Sequence, residues 1–493
     1  MASPTDAPRE PSRLPPATLR PFPRFPGFWK AIGPGIVWLA LAQGSSELIW
    51  WPYLIARYGL AFLCLLVPAC LLQLPVNYQI GSYTLLTGES IFRGFIRLHR
   101  GFALALWVLF SVSFLWFGAF ASAGGTALAA LTEFPASLDQ KGRTLFWAYA
   151  SMAVFFTGLA LNKAVYRLIE RLLWVVSIVT LLGLIVSCLH PDVRSQAAKF
   201  ATGVFSPSWP AGRSWDPQDS RILLTAIAFA GLGGFWTLFY SYWLREKGVG
   251  MAAYAHEGAG PIDAGTGLHS AASGSAFPPL TFSDSASNLA EARKWKKQVL
   301  ADSSVGIFGN IATTLLTCLL AYAVLFPTGE APAGYELAVV QAKFFESSLG
   351  AAGRILFLGV AACFLADTWV ATLDAVSRVH ADFLPAFFPR FRATPPQRIY
   401  RVCLFLFTAV TAITVCYDEP GAQIQLTAVI GLAGTVSFSF AFLFISTRVL
   451  PKLVPRAAVP GKFALASMAV AAMIYAALAI LYFGNVLGVL HVP

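Results

Sequence analysis

The chain has 493 residues, of which 57% are hydrophobic and only 12% are charged, and its mean hydropathy is +0.65. This composition excludes an ordinary soluble globular protein and predicts a polytopic helical membrane protein. The long apolar runs are not those of an outer-membrane barrel, whose strands alternate over about ten residues. The net charge of +11 comes from basic residues between the apolar runs, which indicates membrane topology and not a nucleic-acid partner.

The chain begins with a segment rich in proline and arginine. Residues 1–27 hold eight prolines and four arginines, without the apolar core of a signal peptide. A segment of this composition cannot bury enough apolar surface to fold by itself. We therefore predict that residues 1–30 form a disordered cytoplasmic tail.

Eleven apolar segments follow, and we interpret each as a membrane span. They lie at about 31–57, 60–85, 102–131, 144–161, 169–189, 221–243, 302–326, 352–376, 399–416, 424–447 and 463–487. Of the 35 Lys and Arg residues, 26 fall in alternate connecting segments, on the same side as the N-terminus. The positive-inside rule then predicts an N-terminus inside and a C-terminus outside, in a bacterial cytoplasmic membrane.

The first span carries chemistry that a lipid-facing helix does not tolerate. Its middle holds Gln43-Gly44-Ser45-Ser46-Glu47, which combines a helix-weakening glycine, two hydroxyls and a carboxylate near mid-membrane depth. These residues fit a break in the helix that faces a polar cavity, and we predict that they bind substrate. The alternative role for Glu47 is structural, because an acid in the first turn of the second half-helix favours the helix dipole.

The sixth span holds a second weak point. Three glycines within four residues free backbone amides and carbonyls at membrane depth, although glycines alone also fit close helix packing. Spans one and six are each first in a group of five, so paired interruptions are what an inverted five-plus-five repeat predicts. We therefore predict that the substrate site includes Gly231, Gly233, Gly234, Phe235 and Thr237.

This scheme divides the chain into three parts after the tail. Residues 31–190 form the first five-helix repeat, residues 191–447 form the second, and residues 448–493 hold the eleventh helix and the outer C-terminus. A long cytoplasmic loop, 245–298, lies inside the second repeat. Its basic end, residues 291–297, is typical of an amphipathic helix in the headgroup layer, and so is the basic segment 93–100. Both are predicted to anchor the protein to the membrane surface.

Further polar residues lie in the second and eighth spans. Asp374 and Arg378 are four residues apart on one helical face, which predicts a salt bridge at the inner boundary and a candidate gate. Asp367 lies deeper in the same span, where a carboxylate favours a role in an ion path. In the second span, polar residues and prolines could either line a cavity or serve helix packing; these are Pro68, Pro75, Asn77, Tyr78 and Gln79.

The cysteines and histidines predict no metal centre. The seven cysteines lie in or beside apolar segments without Cys-x-x-Cys spacing, so we interpret them as small membrane-core residues. The six histidines lie at segment ends or in loops, and we expect no histidine relay inside the membrane. No cofactor is predicted.

Residues 33–35 are Gly-Pro-Gly, and a polar break follows them. This motif, with the positions of the spans and loops, resembles the Nramp (natural resistance-associated macrophage protein) family of metal-ion transporters, which have the LeuT-type fold. In that family the first break is Asp-Pro-Gly-Asn and the sixth span holds Met-Pro-His, and both bind a divalent metal. Here the motifs fall on residues 44–47 and near residues 235–237, where the family's aspartate, methionine and histidine are missing. The resemblance implies a divergent branch with eleven transmembrane helices and an altered ligand set.

Two transport functions follow from this resemblance. The first is alternating-access transport of a cation such as a divalent metal, in which Glu47 supplies charge and oxygen ligands come from Gln43, Ser45, Ser46 and Thr237. Oxygen ligands suit hard ions such as magnesium or manganese. The second is transport of a small organic solute, an amine or amino acid, in a pocket lined by Trp38, Phe235 and Trp236.

A third hypothesis is a membrane receptor or a membrane enzyme. The spans carry no nucleotide-binding loop, serine-histidine arrangement or His-carboxylate cluster, so the sequence does not favour an enzyme. Loops of up to about 55 residues leave little room for a receptor domain. We therefore expect the partners of this chain to be a small ion or solute and the lipid bilayer.

Overall fold

The structure is a computed structural model that describes residues 17–43, 46–161, 178–208, 215–256, 279–332 and 334–489. Helices make up most of this part of the chain. The first half contains α1 (Phe28–Ala31), α2 (Pro34–Gln43), α3 (Ser46–Tyr58), α4 (Leu66–Leu71), α5 (Gln73–Thr87), α6 (Ile91–Leu98), α7 (Arg100–Ser113), α8 (Ala119–Thr132), α9 (Gln140–Leu161), α10 (Ile178–Leu189) and α11 (Pro191–Phe205).

The second half begins with an interrupted helix and continues with long helices. It contains α12 (Asp219–Ala228), α13 (Tyr240–Glu246), α14 (Ala286–Leu320), α15 (Leu337–Phe387), α16 (Pro396–Thr414), α17 (Pro420–Phe444), α18 (Leu450–Leu453) and α19 (Lys462–Val486). Two short strands, β1 (Thr18–Leu19) and β2 (Leu280–Thr281), pair in parallel. The helices α14 and α17 each continue into one π-helical turn, and α15 is kinked at Gly350.

Five helical segments of the described chain are long and apolar enough to cross a bilayer on their own. These are Leu63–Thr87, Ala286–Leu325, Gly334–Phe387, Pro420–Leu453 and Lys462–Val486. A sixth arises if α10 and α11, which meet at an angle of 89°, form one bent span. The other predicted spans correspond to shorter helices or to helix pairs, so the chain is an integral membrane protein and the count of eleven stays a prediction.

The third predicted span is divided. The sequence predicts one helix over residues 102–131, but α7 ends at Ser113 and α8 begins at Ala119. The residues between them are Phe114, Leu115, Trp116, Phe117 and Gly118, so the glycine is the one sequence signal for a break in an otherwise apolar stretch. Packing around Phe114, which is fully buried between Phe110 and Trp236, accompanies the division.

The first and sixth spans lie side by side and run in opposite directions. The start of α2, at Gly33, contacts α14 and lies next to Lys247, which follows α13. The end of α3, at Tyr58, contacts Asp219 at the start of α12. We call these two ends of the bundle the Gly33 end and the Asp219 end. Opposite directions are what an inverted repeat predicts.

The N-terminal tail differs from its prediction. Residues 17–30 are packed against the Gly33 end, where β1 pairs with β2 and the Phe22 ring lies 4.7 Å from that of Phe282. The amide of Phe25 donates to Glu291, and the indole of Trp295 donates to the carbonyl of Pro23. The predicted disorder is therefore wrong for residues 17–30, because α14 supplies the partners that the tail itself lacks. Residues 1–16 lie outside the described chain.

The two predicted surface anchors are also corrected. Residues 291–297 belong to the first turns of α14, which continues from there into the seventh span as one helix. Residues 91–96 of α6 are buried inside the protein. There Arg93 pairs with Asp382 of α15 at 2.8 Å, and Asp382 also lies 3.5 Å from Arg245 in the last turn of α13. The basic residues of α6 thus join helices, where the sequence predicted contact with headgroups.

Candidate functional site

The first predicted break falls partly outside the described residues. Gly44 and Ser45 lie between two described helices, of which α2 ends at Gln43 and α3 begins at Ser46. Glu47 lies in the first turn of α3, and the side chains of Gln43, Ser46 and Glu47 are outside the description. The two α-helices meet where the sequence predicts the break. Substrate binding by these five residues stays a prediction.

The sixth span is interrupted at the predicted glycines. Its first half, α12, ends at Ala228, and the chain resumes as a 3-10 helix over Gly234–Phe239 before α13 begins. Gly231 has φ +80° and Gly234 has φ +62°, in the left-handed region that residues with a Cβ adopt only under strain. The glycines therefore permit the interruption, and Gly233 lies between them in an extended conformation.

The first half of span one packs directly on this interruption. A Cβ added to Gly231 would lie 2.9 Å from Cη2 of Trp38, so the indole ring occupies the space that any other residue would need. Trp38 is buried, with 1% of its surface exposed. The same added Cβ would lie 3.4 Å from Cγ of Gln73 in α5. The first half of span one, the interruption of span six and α5 thus meet at Trp38, Gly231 and Gln73.

Gln73 connects the interruption to two other helices. The hydroxyl of Thr237 donates to Oε1 of Gln73 at 3.2 Å and also to the carbonyl of Leu232. The amide of Gln73 in turn donates to the hydroxyl of Tyr475 in α19 at 3.2 Å. Gln73 is almost fully buried, and the sequence analysis missed it although a glutamine inside an apolar span was a usable signal.

Aromatic side chains surround the interruption. The Phe229 ring lies 6.0 Å from Trp50 of α3 and 5.4 Å from Trp236. The indole of Trp236 donates to the hydroxyl of Thr372 in α15 at 2.8 Å, which fixes its orientation. Phe235 is fully buried too. Its neighbours are Phe110 and Phe438, so it packs toward α7 and α17 and serves the core of the bundle.

The Gly33 end is closed by a buried carboxylate that the sequence analysis missed. Asp302 in α14 accepts the backbone amides of Gly33 at 3.0 Å and Gly35 at 2.6 Å, at the N-terminus of α2. It also accepts the hydroxyl of Tyr240, the first residue of α13, at 2.9 Å. One carboxylate therefore joins the first half of span one and the second half of span six to the seventh span, and a negative charge suits the helix N-terminus that it caps.

The Asp219 end has a matching cluster. Asp219, at the start of α12, forms a 2.8 Å ion pair with Arg57 near the end of α3. It also accepts the hydroxyls of Tyr53 at 3.1 Å and Tyr58 at 2.5 Å. Only 4% of the Asp219 side chain is exposed. The second half of span one and the first half of span six are thus joined by a carboxylate, as the other two halves are at the Gly33 end.

The predicted gate residues of span eight lie at the Gly33 end. Asp374 and Arg378 form the predicted salt bridge, at 2.8 Å, and the contact is confirmed. Asp374 also accepts the hydroxyl of Tyr400 at 2.7 Å, and Arg378 reaches Glu246 at the end of α13 at 3.1 Å. The pair therefore contacts α13, whereas Asp367 is half-buried two turns earlier in α15. A gate or ion-path role for these residues stays a prediction.

The side chains that commonly bind metals are dispersed in the described part of the chain. Within the described residues, no group of three or more His, Cys, Asp or Glu side chains could hold a metal ion. His380, which the sequence placed at a segment end, is instead buried in α15. Its ring nitrogens contact the Ser111 hydroxyl at 3.0 Å and the Val376 carbonyl at 2.8 Å, so it is a satisfied structural histidine.

Comparison with known proteins gives a fold but no sequence family. No family model matches the sequence, and no curated protein matches it. A solved structure of the Eremococcus coleocola manganese transporter, in complex with an aromatic bis-isothiourea substituted compound, is similar with TM-score 0.65 and 15% identity, over 94% of this chain and 89% of that chain.

Two further solved structures have the same architecture. MhsT in complex with L-phenylalanine has TM-score 0.55 and 13% identity, over 94% of this chain and 99% of that chain. Mhp1 is a nucleobase-cation-symport-1 family transporter, solved in a closed conformation with bromovinylhydantoin bound. It has TM-score 0.51 and 11% identity, over 97% of this chain and 95% of that chain. The resemblance noted in the sequence is confirmed at the level of fold: this chain has the LeuT-type fold, which it shares with the Eremococcus coleocola manganese transporter, MhsT and Mhp1.

Proposed function

We propose that the chain is a secondary transporter that moves a small cation across the membrane by alternating access around its two interrupted spans. The observation that carries this proposal is the paired closure of those spans. Asp219 joins them at one end and Asp302 joins them at the other, and in the proposed cycle one closure opens while the other stays closed. Broken helices that meet near mid-membrane are typical of transporter substrate sites.

Glu47 is the proposed source of charge for the cation. It lies in the first turn of α3, directly after the junction with α2, whose Trp38 packs on Gly231 of the sixth span. The Eremococcus coleocola protein of similar fold is a manganese transporter, which supports a divalent metal as the cation. Oxygen ligands from Thr237 and Gln73 suit a hard ion such as manganese or magnesium better than a soft one.

A small organic solute, such as an amine or amino acid, is the second candidate. It is favoured by the aromatic lining of Trp50, Phe229 and Trp236, since aromatic faces attract ammonium groups and bury apolar surface. The similarly folded MhsT was solved with L-phenylalanine. In this case Glu47 would pair with the solute's ammonium group, with the solute in the place of a metal ion.

Flux into proteoliposomes tests the proposal. Uptake of Mn²⁺, Mg²⁺ and a panel of amines and amino acids should identify at least one solute that accumulates only with the protein present. Glu47→Gln should lower the initial rate at least about tenfold, because it removes the charge at the site. The matched control, Glu133→Gln on an exposed turn, should keep the rate. Equal rates for both variants would remove Glu47 from the mechanism.

A further inference from the structure

Asn77 in α5 has an environment that buried amides rarely have. Only 1% of the residue is exposed, and within the described chain neither Oδ1 nor Nδ2 has a hydrogen-bond partner. Buried polar groups in folded proteins are paired with few exceptions, because an unpaired amide loses its water and gains nothing in return. The unpaired amide does not stabilise this arrangement of the helices. The presence of Asn77 at this position therefore needs another explanation.

The position of Asn77 on its helix gives that reason. Residues four apart lie on one face of a helix, so Gln73, Asn77 and Gly81 form one stripe along α5. At one end of the stripe, Gln73 contacts Thr237 and Gly231 at the interruption. At the other end, a Cβ on Gly81 would lie 3.4 Å from the Tyr240 ring. Asn77 therefore lies between the proposed substrate site and the Asp302 closure.

A second polar atom without a partner belongs to the same region. The indole Nε1 of Trp38 has no hydrogen-bond acceptor among the described residues, although Trp38 is buried. The Trp38 ring contacts Gly231 on one side and Gly306 of α14 on the other, where a Cβ would lie 3.3 Å from its Cε3. Two buried groups with unused hydrogen-bonding capacity thus lie on the Gly33 side of the interruption.

We propose that Asn77 is a second hydrogen-bonding site for the transported solute. It lies on the path from the interruption to the Gly33 end. The amide offers one acceptor and two donors. It would bind the water carried by a cation or the polar atoms of an organic solute when the Asp302 closure releases α2 and α13. In the closed arrangement α13 and α14 pack against this face of α5, and the amide is buried without a protein partner among the described residues. The inference rests on the proposed transport function.

Stability and transport should respond to Asn77→Leu in opposite ways. Leucine removes the unpaired amide and keeps a side chain of similar size, so the Tm of the purified protein in detergent should stay equal or rise. The initial rate of proteoliposome uptake, with Mn²⁺ and the amine and amino-acid panel as probes, should fall at least about tenfold.

The matched control is Asn288→Leu. Asn288 is also buried, but its Oδ1 accepts the amide of Phe22 at 3.0 Å and its Nδ2 donates to Ser283. Its replacement should lower the Tm by about 2 °C or more, since it leaves a buried amide unpaired. If Asn77→Leu lowers the Tm as much as the control does, Asn77 has a structural partner and the inference is wrong. Unchanged uptake by a stable Asn77→Leu protein would also overturn it.

A labelling experiment decides the inference without a known solute. Asn77→Cys is treated with a positively charged, water-soluble methanethiosulfonate reagent, alone and combined with Asp302→Asn or with the milder Tyr240→Phe. Single Asp302→Asn and Tyr240→Phe proteins correct for the native cysteines. Release of the closure should raise the rate of labelling at position 77 about tenfold. Equal rates in the closed and released proteins would contradict the path, whereas absence of flux for every probe would contradict only the transport function.

Discussion

At the scale of single residues, Asp302 joins three helices, α2, α13 and α14. It is buried, yet its carboxylate accepts two backbone amides of the α2 N-terminus and the Tyr240 hydroxyl. Hydrogen bonds to a charged group contribute about 1.5–3 kcal/mol each, which offsets the loss of hydration of the carboxylate. Gly35 permits the close approach, since a Cβ there would lie 2.0 Å from the Asp302 carbonyl oxygen. The contact is therefore specific to this pair of helices.

Gly231 is a residue at which a single methyl group should be harmful. Gly231→Ala forces a Cβ into a left-handed conformation and to within 2.9 Å of Trp38. We expect a loss of about 1–2 kcal/mol in unfolding free energy from the conformation alone, and a further loss from the displaced indole. Thermal unfolding and uptake should both be impaired. Gly359→Ala in α15, where no atom lies within 4 Å of the new Cβ, should change neither; similar behaviour of the two variants would contradict the argument.

Arg57 and Asp219 provide a test of a buried charge. Arg57→Gln leaves the Asp219 carboxylate with two tyrosine donors and no counter-ion, and we expect it to cost about 3 kcal/mol of unfolding free energy. Adding Asp219→Asn removes the stranded charge and should recover at least part of the loss. Denaturant unfolding of the double-mutant cycle measures this coupling. The exposed pair Arg354 and Glu346 is the control, and Arg354→Gln should cost less than about 1 kcal/mol.

At the scale of elements, the N-terminal tail is stabilised by another segment of the chain. Phe22→Ala removes a ring that is 5% exposed and contacts Phe282, and should lower the unfolding free energy by about 1.5–3 kcal/mol. Leu19→Ala, in the adjoining strand but 65% exposed, should have little effect. Chemical denaturation of the two purified variants compares them directly. Equal stabilities would show that the tail is not docked.

The docking of the tail and the division of the third span were both missed for the same reason. Composition describes what a segment can do alone, and the proline-rich tail has too little apolar periodicity to fold without α14. The third span is apolar apart from Gly118 where it divides between α7 and α8, so hydropathy predicts one continuous helix there. By contrast, Asp374 and Arg378 were paired correctly because they are neighbours on one helix turn.

At the scale of the whole molecule, each of the two carboxylate closures should stabilise only its own end of the bundle. Asp302→Asn weakens the Gly33 end, and Asp219→Asn weakens the Asp219 end. Hydrogen–deuterium exchange should therefore rise in the start of α2 and in α13 for the first variant, and in the end of α3 and the start of α12 for the second. We expect increases of about tenfold, confined to one end. A rise at both ends in either variant would indicate general loosening and not alternating access.

The sequence by itself determined the membrane class, the approximate positions of most spans and the interruption at Gly231–Gly234. Those are local properties: hydropathy, glycine content and i,i+4 spacing act between near neighbours in the chain. It also carried the Nramp-like resemblance, because the Gly-Pro-Gly and the polar break lie within one segment.

Only the tertiary structure decided which side chains close the bundle. Asp302 meets Gly35 across 267 residues, Tyr58 meets Asp219 across 161, and Gln73 meets Tyr475 across 402. No local pattern marks such partners, since their contact depends on how helices pack and which faces they turn toward each other. The same packing leaves Asn77 buried without a partner among the described residues, which no reading of α5 alone could have revealed.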